Sequence, residues 1–249
     1  MLILMHKLVA RRIGVPLSEI RIRRRGDIIF THIASQADPL LVIIRSAKSV
    51  SLQTYLDKFT IVRDSRLPSL DQAVVDALFD EIAFTYESII DVKRNMENID
   101  LLFETIAKAI GPLTGATILD LGCGTGLSVQ SRFNRGINLI GIDRSPKMRD
   151  IALLKGMRVA GIKDFENQCV TLDGIFASYV FHLMSDTSIL CPLWKCLKPG
   201  GVMIANFHKN RGVESINEII VKLNGSIIEL DQPDGSERHG AYVEYHKQK

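Results

Sequence analysis

No apolar run in this sequence of 249 residues approaches the roughly 20 residues that a membrane-spanning helix needs, so no membrane partner is expected. Cysteine is scarce: there are four, none in a C-x-x-C pair, which argues against disulfide stapling in a chain this long. Cys191 and Cys196 stand five apart in sequence near His182. They flank Pro192 and Trp194 in an apolar, helix-like segment, where free cysteine acts as a small buried hydrophobe. No metal site is expected. Charge of one sign is not in excess either, since 31 Lys and Arg against 28 Asp and Glu leave a net of +3. With 46% hydrophobic residues and a mean hydropathy of +0.12, disorder is excluded as the main state. The apolar residues 1–4 are interrupted by Lys7, Arg11 and Arg12 and lack a small-residue cleavage site, so the reading is cytoplasmic.

The small net charge hides a segregation. Residues 1–66 carry a net of +7, residues 67–110 a net of −6, and residues 111–249 a net of +2. A basic head can meet nucleic acid, or it can face the acidic helices within the same molecule; the second reading is preferred. The head reads as a small basic α+β module over residues 1–68, with a helix over 2–13. A hairpin is expected from 19–23 and 28–33 around Arg24-Arg25-Gly26-Asp27, and a short strand over 40–44. Its cluster of Arg21 and Arg23 to Arg25 is read as a solvated strand face. Pro39 and Pro68 mark joints, and helical periodicity then occupies 69–77, 78–90 and 96–110 up to Gly111-Pro112.

From Thr117 the pattern changes to short apolar strands alternating with helices, as in an open parallel sheet wrapped on both faces. The strand Ile118-Leu119-Asp120-Leu121 runs into Gly122-Cys123-Gly124-Thr125-Gly126, where glycines leave no Cβ between backbone and ligand. A helix opening next adds backbone N–H donors. The following strand, 138–142, ends in Asp143, 17 residues after Gly126, placed to accept hydrogen bonds from a ribose diol. A dinucleotide fingerprint would read G-x-G-x-x-G; here the third glycine comes one position early. An NAD-dependent dehydrogenase is therefore disfavoured.

The unbroken run from Ile118 to Gly126 resembles motif I of the class I S-adenosylmethionine-dependent methyltransferases of the small-molecule kind. The likeness continues through Leu139-Ile140-Gly141-Ile142-Asp143-Arg144-Ser145-Pro146-Lys147-Met148, the strand at 172–178 and the turn Leu197-Lys198-Pro199-Gly200-Gly201. Upstream, Phe79-Asp80-Glu81-Ile82-Ala83-Phe84-Thr85-Tyr86 is similar to the FD-x-x-A-x-x-Y element of the same family. The resemblance implies a three-layer, Rossmann-like, seven-stranded, mostly parallel sheet closed by an antiparallel hairpin (226–230 and 241–245). That sheet would occupy a domain of residues 69–249, with a helical entry over 69–110 and the core over 111–249.

The resemblance also implies S-adenosyl-L-methionine as cofactor and a set of residues around it. Asp120 would lie near the methionine amine, Asp143 on the ribose and Met148 near the adenine. Tyr86, Gly122, Cys123, Gly124, Gly126, Arg144 and Ser178 would line the rest. After the third strand the family usually reads G-D-A, whereas this chain reads Gly161-Ile162-Lys163 with Asp164 two places late. Either Ile162, beside Lys163, packs on the adenine, or Asp164 swings back to it. Cys123 reads as a loop filler, since nothing basic adjoins it to activate a thiolate. His182, just past the fourth strand, is the candidate general base, with a plain structural histidine as the alternative. The expected function is methyl transfer to a small molecule. An RNA-modifying enzyme gripping its substrate with the basic head, or a non-catalytic regulator that binds the cofactor, are the alternatives.

Overall fold

The structure, a computed structural model, describes residues 1–18, 22–56, 58–160, 170–230 and 240–248. It divides into two compact units, Met1–Ile82 and Ala83–Lys249.

The first unit is a five-stranded sheet in the order β2-β3-β1-β5-β4. Its centre is β1 (Leu2–His6), antiparallel to β3 (Ile28–His32) and parallel to β5 (Phe59–Asp64). The helix expected over residues 2–13 is thus corrected to this strand followed by α1 (Lys7–Arg12). Ile3, Leu4 and Met5 are all fully buried, because a central strand is covered on both faces and reads as a continuous apolar run. His6 starts α1 by accepting the Leu8 N–H on Nδ1 at 3.2 Å. The strand expected over 40–44 is corrected as well. Residues Pro39–Ser46 form α2, begun by Asp38, which accepts the Leu40 N–H at 3.0 Å, with Pro39 in the first turn.

Strand β2 (Ile22–Arg25) pairs with β3 as a hairpin, with Arg24 and Arg25 in the strand and not in the turn where they were expected (residues 19–21 lie outside the described residues), and β4 (Val50–Tyr55) pairs with β5. Helices α1 and α2 cover the face that carries Ile3, Met5 and Ile29. Helix α3 (Asp71–Ile82) packs on β1, β3 and β5 and buries Val74, Val75, Leu78 and Ile82. Arg23 reaches Glu81 and Arg25 reaches Asp80, each at 2.5 Å. Basic hairpin and acidic helix therefore neutralise each other within one unit. The joint expected at 68/69 falls after α3 instead, because the apolar stripe of that helix completes the first core.

The second unit begins with α4 (Tyr86–Ile89) and α5 (Val92–Ile110). Its seven strands are β6 (Thr117–Leu121), β7 (Asn138–Ile142), β8 (Arg158–Ala160), β9 (Leu172–Ala177), β10 (Leu197–Phe207), β11 (Gly225–Leu230) and β12 (Ala241–Lys247). They lie in the order β11-β12-β10-β9-β6-β7-β8. Strands β6 to β10 are mutually parallel, and β12 runs antiparallel to both β10 and β11. Helices α6 (Pro146–Leu154), α7 (Leu190–Cys196) and α8 (Val213–Lys222) connect them. This is the Rossmann-like α/β fold that the sequence implies. The chain order reverses between β6 and β9, and ligands of open α/β sheets bind outside the carboxyl ends of the strands at such a point. Among the described residues no helix is long and apolar enough to cross a membrane.

Candidate cofactor and acceptor site

The loop after β6 is sewn to the neighbouring strand. The N–H groups of Gly122 and Cys123 both donate to the Ile142 carbonyl, at 2.8 and 3.0 Å, and Gly126 N–H closes a turn onto the Cys123 carbonyl at 2.9 Å. Gly122 has φ +71°, and a Cβ there would stand 2.6 Å from Val180 Cγ2. Close approach of the segment after β9 therefore requires glycine. Gly124, at φ +53°, differs: a Cβ would find only Tyr86 Cε1, at 3.9 Å. Its backbone faces open space beneath that ring.

Two acids end the adjacent strands. Asp143 Oδ2 accepts the Gly124 N–H at 2.9 Å, and Oδ1 accepts the Ser145 N–H at 2.8 Å, so it fixes the glycine loop and the start of α6 together. Ser145 caps α6 by accepting the Met148 N–H at 3.2 Å, and Met148 is buried. Asp120 is only 3% exposed and accepts the Ser128 hydroxyl at 2.5 Å. Burial pushes its pKa up to about 7, the Asp143 charge adds to the rise, and the Ser128 bond opposes it. A buried acid held near neutrality is the feature that a cationic ligand would relieve.

The remaining expected residues fall as follows. Cys123 packs with Ala152 and Met157, and β7 makes room for its sulfur with Gly141, whose added Cβ would lie 2.7 Å from Sγ. Burial first, and then Asp143 and Asp120, push its thiol well above the ordinary range, so it fills space and is no nucleophile. Burial also raises the Tyr86 hydroxyl, with Asp143 as the next cause. Gly126 packs against α6, where an added Cβ would meet Ala152. Arg144 pairs with Asp186 at 3.3 Å. Ser178 Oγ accepts the Asn98 side-chain N–H at 2.7 Å. Ile162, Lys163 and Asp164 lie outside the described residues, so neither adenine alternative is placed here.

His182 sits in a short 3-10 turn after β9, with its ring centroid 5.3 Å from that of His208 at the end of β10. Its Nδ1 is buried without a hydrogen-bond partner among the described residues. Burial, then His208 and Arg211, push its pKa down to about 3, so it is a neutral imidazole at physiological pH.

Several contributors were not expected. Glu87 of α4 accepts the Thr125 hydroxyl at 2.5 Å and pairs with Lys155. Arg149 Nη1 donates to the Asp143 carbonyl at 2.8 Å. Asn98 joins Ser178, Asn206 and Tyr242: its side-chain N–H reaches Asn206 Oδ1 at 3.2 Å, and its Oδ1 accepts the Tyr242 hydroxyl at 2.5 Å. No sequence motif marks these residues.

A glycine loop over open space, flanked by acids at two strand ends, defines a Rossmann-like domain for a nucleoside cofactor that carries a cation. Residues 119–205 match the family described as "Methyltransferase domain". The tRNA U34 carboxymethyltransferase of Methylococcus capsulatus is 32% identical over 118 residues, 42% of this chain and 36% of that enzyme. A ubiquinone biosynthesis O-methyltransferase of a Bradyrhizobium strain is 30% identical over 116 residues, 42% of this chain and 44% of that enzyme. The chain thus spans less than half the length of these relatives. Magnesium protoporphyrin IX methyltransferase from Synechocystis, solved with bound S-adenosylmethionine, superposes with a TM-score of 0.56 at 16% identity, covering 72% of this chain and 97% of that one. Residues 119–205 thus resemble a methyltransferase domain, and the fold is that of the class I S-adenosylmethionine-dependent methyltransferases, which points to S-adenosylmethionine as the cofactor.

Proposed function

We propose that the protein transfers a methyl group from S-adenosylmethionine to a small molecule in the cytoplasm, with the N-terminal unit selecting the acceptor. The observation that carries the reading is the pair Asp120 and Asp143 about a glycine loop whose Gly124 face is open. Asp143 accepts from the ribose, Asp120 from the methionine amine, Met148 supplies apolar wall, and Tyr86 covers the loop. Gly122, Cys123, Gly126, Arg144 and Ser178 hold the surrounding backbone. The cofactor supplies a methyl on a positive sulfur, which an in-line nucleophile takes without covalent help from the protein. Orientation then carries the catalysis and can lower the barrier by about 7–11 kcal/mol. His182 is neutral and serves as a hydrogen-bonding partner for the acceptor, with little reserve as a base while its pKa stays near 3.

A small acceptor is favoured over RNA because Arg23 and Arg25 are engaged by Glu81 and Asp80. Between β10 and β11 the chain holds only a 3-10 turn and α8, too little for an inserted substrate domain. RNA remains the second reading, on the strength of the tRNA-modifying relative. The test is calorimetric titration with S-adenosylmethionine, S-adenosylhomocysteine and NAD, followed by labelled-methyl transfer into small-molecule extract and into mixed RNA. Binding of the first two but not NAD, with label in small molecules, is expected. Tight RNA retention at physiological salt would reverse the ranking, and cofactor binding without transfer to either pool would favour a regulator.

A further inference from the structure

A buried polar cluster joins α5, β10 and β12 to the segment that follows β9. Asn98, Asn206 and Tyr242 are each at most 2% exposed, in a layer of the core otherwise built from apolar residues such as Ile99, Leu102, Phe176 and Ile204. Asn206 and Tyr242 stand opposite each other in the β10–β12 ladder. The Tyr242 hydroxyl donates to Asn98 Oδ1, which fixes the orientation of that amide. Asn98 Nδ2 then donates to Ser178 Oγ at 2.7 Å and to Asn206 Oδ1 at 3.2 Å. Asn206 Oδ1 accepts a second bond, from the Tyr179 N–H at 2.7 Å.

That second bond falls on a strained residue. Tyr179 has φ +57°, a left-handed conformation that is uncommon for a bulky side chain and persists only where the surroundings hold it. Ala177 pairs with Ala205 in the parallel ladder, so Asn206 lies beside the point where the chain leaves β9. An apolar side chain at 206 would leave two buried N–H groups, of Tyr179 and Asn98, without that acceptor. The next residue, Val180, meets the cofactor loop. Its Cγ2 and Cγ1 would stand 2.6 and 3.0 Å from a Cβ placed on Gly122, so it packs directly on the glycine backbone. The loop is therefore held by β7 through the bonds to the Ile142 carbonyl and by Val180 through packing.

We propose that Asn206 is a positioning residue for the cofactor site: fastened by Asn98, it holds Tyr179 in the left-handed turn that seats Val180 against Gly122. The inference rests on the methyltransferase reading and extends it to residues far in sequence from the glycine loop. The role is indirect, since Asn206 works through the Tyr179 backbone and the Val180 side chain. Without its oxygen, residue 179 relaxes toward an ordinary negative φ and Val180 moves off Gly122. The loop then keeps its bonds to Ile142 but loses its packed wall, and the groups that face the cofactor are held less closely.

The test is a double-mutant cycle on the full chain, read by calorimetric titration with S-adenosylhomocysteine. Asn206→Leu keeps the bulk of the side chain and removes the oxygen; it should weaken binding by about tenfold, and Val180→Ala by about fivefold. Because the two act in series, the double variant should bind within about twofold of the weaker single variant, whereas independent sites would multiply to about fiftyfold. A second cycle pairs Asn98→Ala, expected to cost about threefold, with Val180→Ala, and decides the matter if Asn206→Leu does not fold. Leu193→Ala, which opens a cavity at a fully buried position of α7, is the control. It should lower the thermal unfolding temperature at least as much, yet leave affinity within about twofold of the parent. Unchanged affinity in the asparagine variants, effects that multiply in the double variants, or an equal loss of affinity in Leu193→Ala overturns the proposal. Failure of the parent chain to bind S-adenosylhomocysteine overturns the methyltransferase reading instead, so the two failures are distinct.

Discussion

The Thr125 hydroxyl donates to Glu87 Oε1 at 2.5 Å, and Lys155 pairs with the same carboxylate. One side chain of α4 thereby fastens three segments: α4 itself, the glycine loop and the end of α6. Tyr86, its neighbour in sequence, is the residue that lies over Gly124. The bonds hold Glu87 below the usual carboxylate range despite partial burial, which marks it as ionised and engaged. Glu87→Ala should weaken S-adenosylhomocysteine binding by roughly three- to tenfold while costing about 1 kcal/mol of stability, since the pair with Lys155 is part-exposed. Calorimetry and thermal unfolding check both halves. A large stability loss with unchanged affinity would show that Glu87 supports the fold and not the cofactor site.

Asp143 is bound on both oxygens by backbone N–H groups, from Gly124 and Ser145. Asp143→Ala should lower cofactor affinity by more than about tenfold, because it removes the charge-assisted bonds proposed to the ribose and loosens the loop that Asp143 holds. Asp143→Asn keeps one acceptor and should fall between the two. Equal affinity of all three forms in a titration with S-adenosylhomocysteine would remove Asp143 from the site.

The strand-and-loop geometry of this segment was legible because its parts are consecutive. Strand, glycine loop, strand and acid follow one another within 118–143, and each step has its own residue signature. What was not legible depended on partners far away in sequence. Asn98 meets Asn206 and Tyr242 across 108 and 144 positions, and an isolated Asn in a helical pattern announces nothing. Helix α3 shows a clear apolar stripe, but a stripe does not say which sheet it covers; Leu78 and Ile82 proved to belong to the N-terminal sheet. In β1, burial on both faces erased the alternation that separates strand from helix. In α2, a β-branched run outweighed the Asp38-Pro39 start signal that decides the matter.

Asp120 should make cofactor binding depend on pH. Its folded pKa, about 7, lies above its ordinary value of 3.8. The folded chain therefore keeps a proton that the unfolded chain has lost. Its contribution to stability is present below the unfolded value and is lost as pH rises through about 7. A cation bound beside it drives that proton off, so affinity for S-adenosylhomocysteine should rise from pH 5.5 toward 7.5 and then level. Asp120→Asn should bind more weakly and lose the slope. Titrations in two buffers of different ionisation enthalpy would reveal the released proton; none released at pH 6 would contradict the assignment.

His182 gives the opposite sign. Its folded pKa of about 3 lies below the ordinary 6.5, so in acid the unfolded chain binds a proton that the folded chain refuses. Its contribution is complete above pH 6.5 and is lost as pH falls toward 3, by at most a few kcal/mol. In His182→Gln the decline of unfolding free energy between pH 6.5 and 4.5 should be shallower than in the parent. Urea unfolding at three pH values measures it, and parallel curves would mean that the imidazole is not buried as described.

The last prediction concerns where the chain can be cut. A shortened chain starting at Ala83 retains α4, α5 and all seven strands β6 to β12, with Asp120, Asp143, Tyr86 and Glu87 in place. It should fold and bind S-adenosylhomocysteine within about threefold of the full chain, because every group assigned to the cofactor lies within it. It should lose turnover on the natural acceptor if the N-terminal unit selects it. A chain starting at Ser69 should behave worse, although it is longer. It would keep α3 but lose β1, β3 and β5, leaving Val74, Val75, Leu78 and Ile82 without the sheet they cover. That exposed apolar stripe should promote association. Circular dichroism, light scattering and cofactor titration on the two chains decide the matter. A monomeric, fully helical chain from Ser69 beside an unfolded one from Ala83 would show that α3 belongs with the methyltransferase core after all.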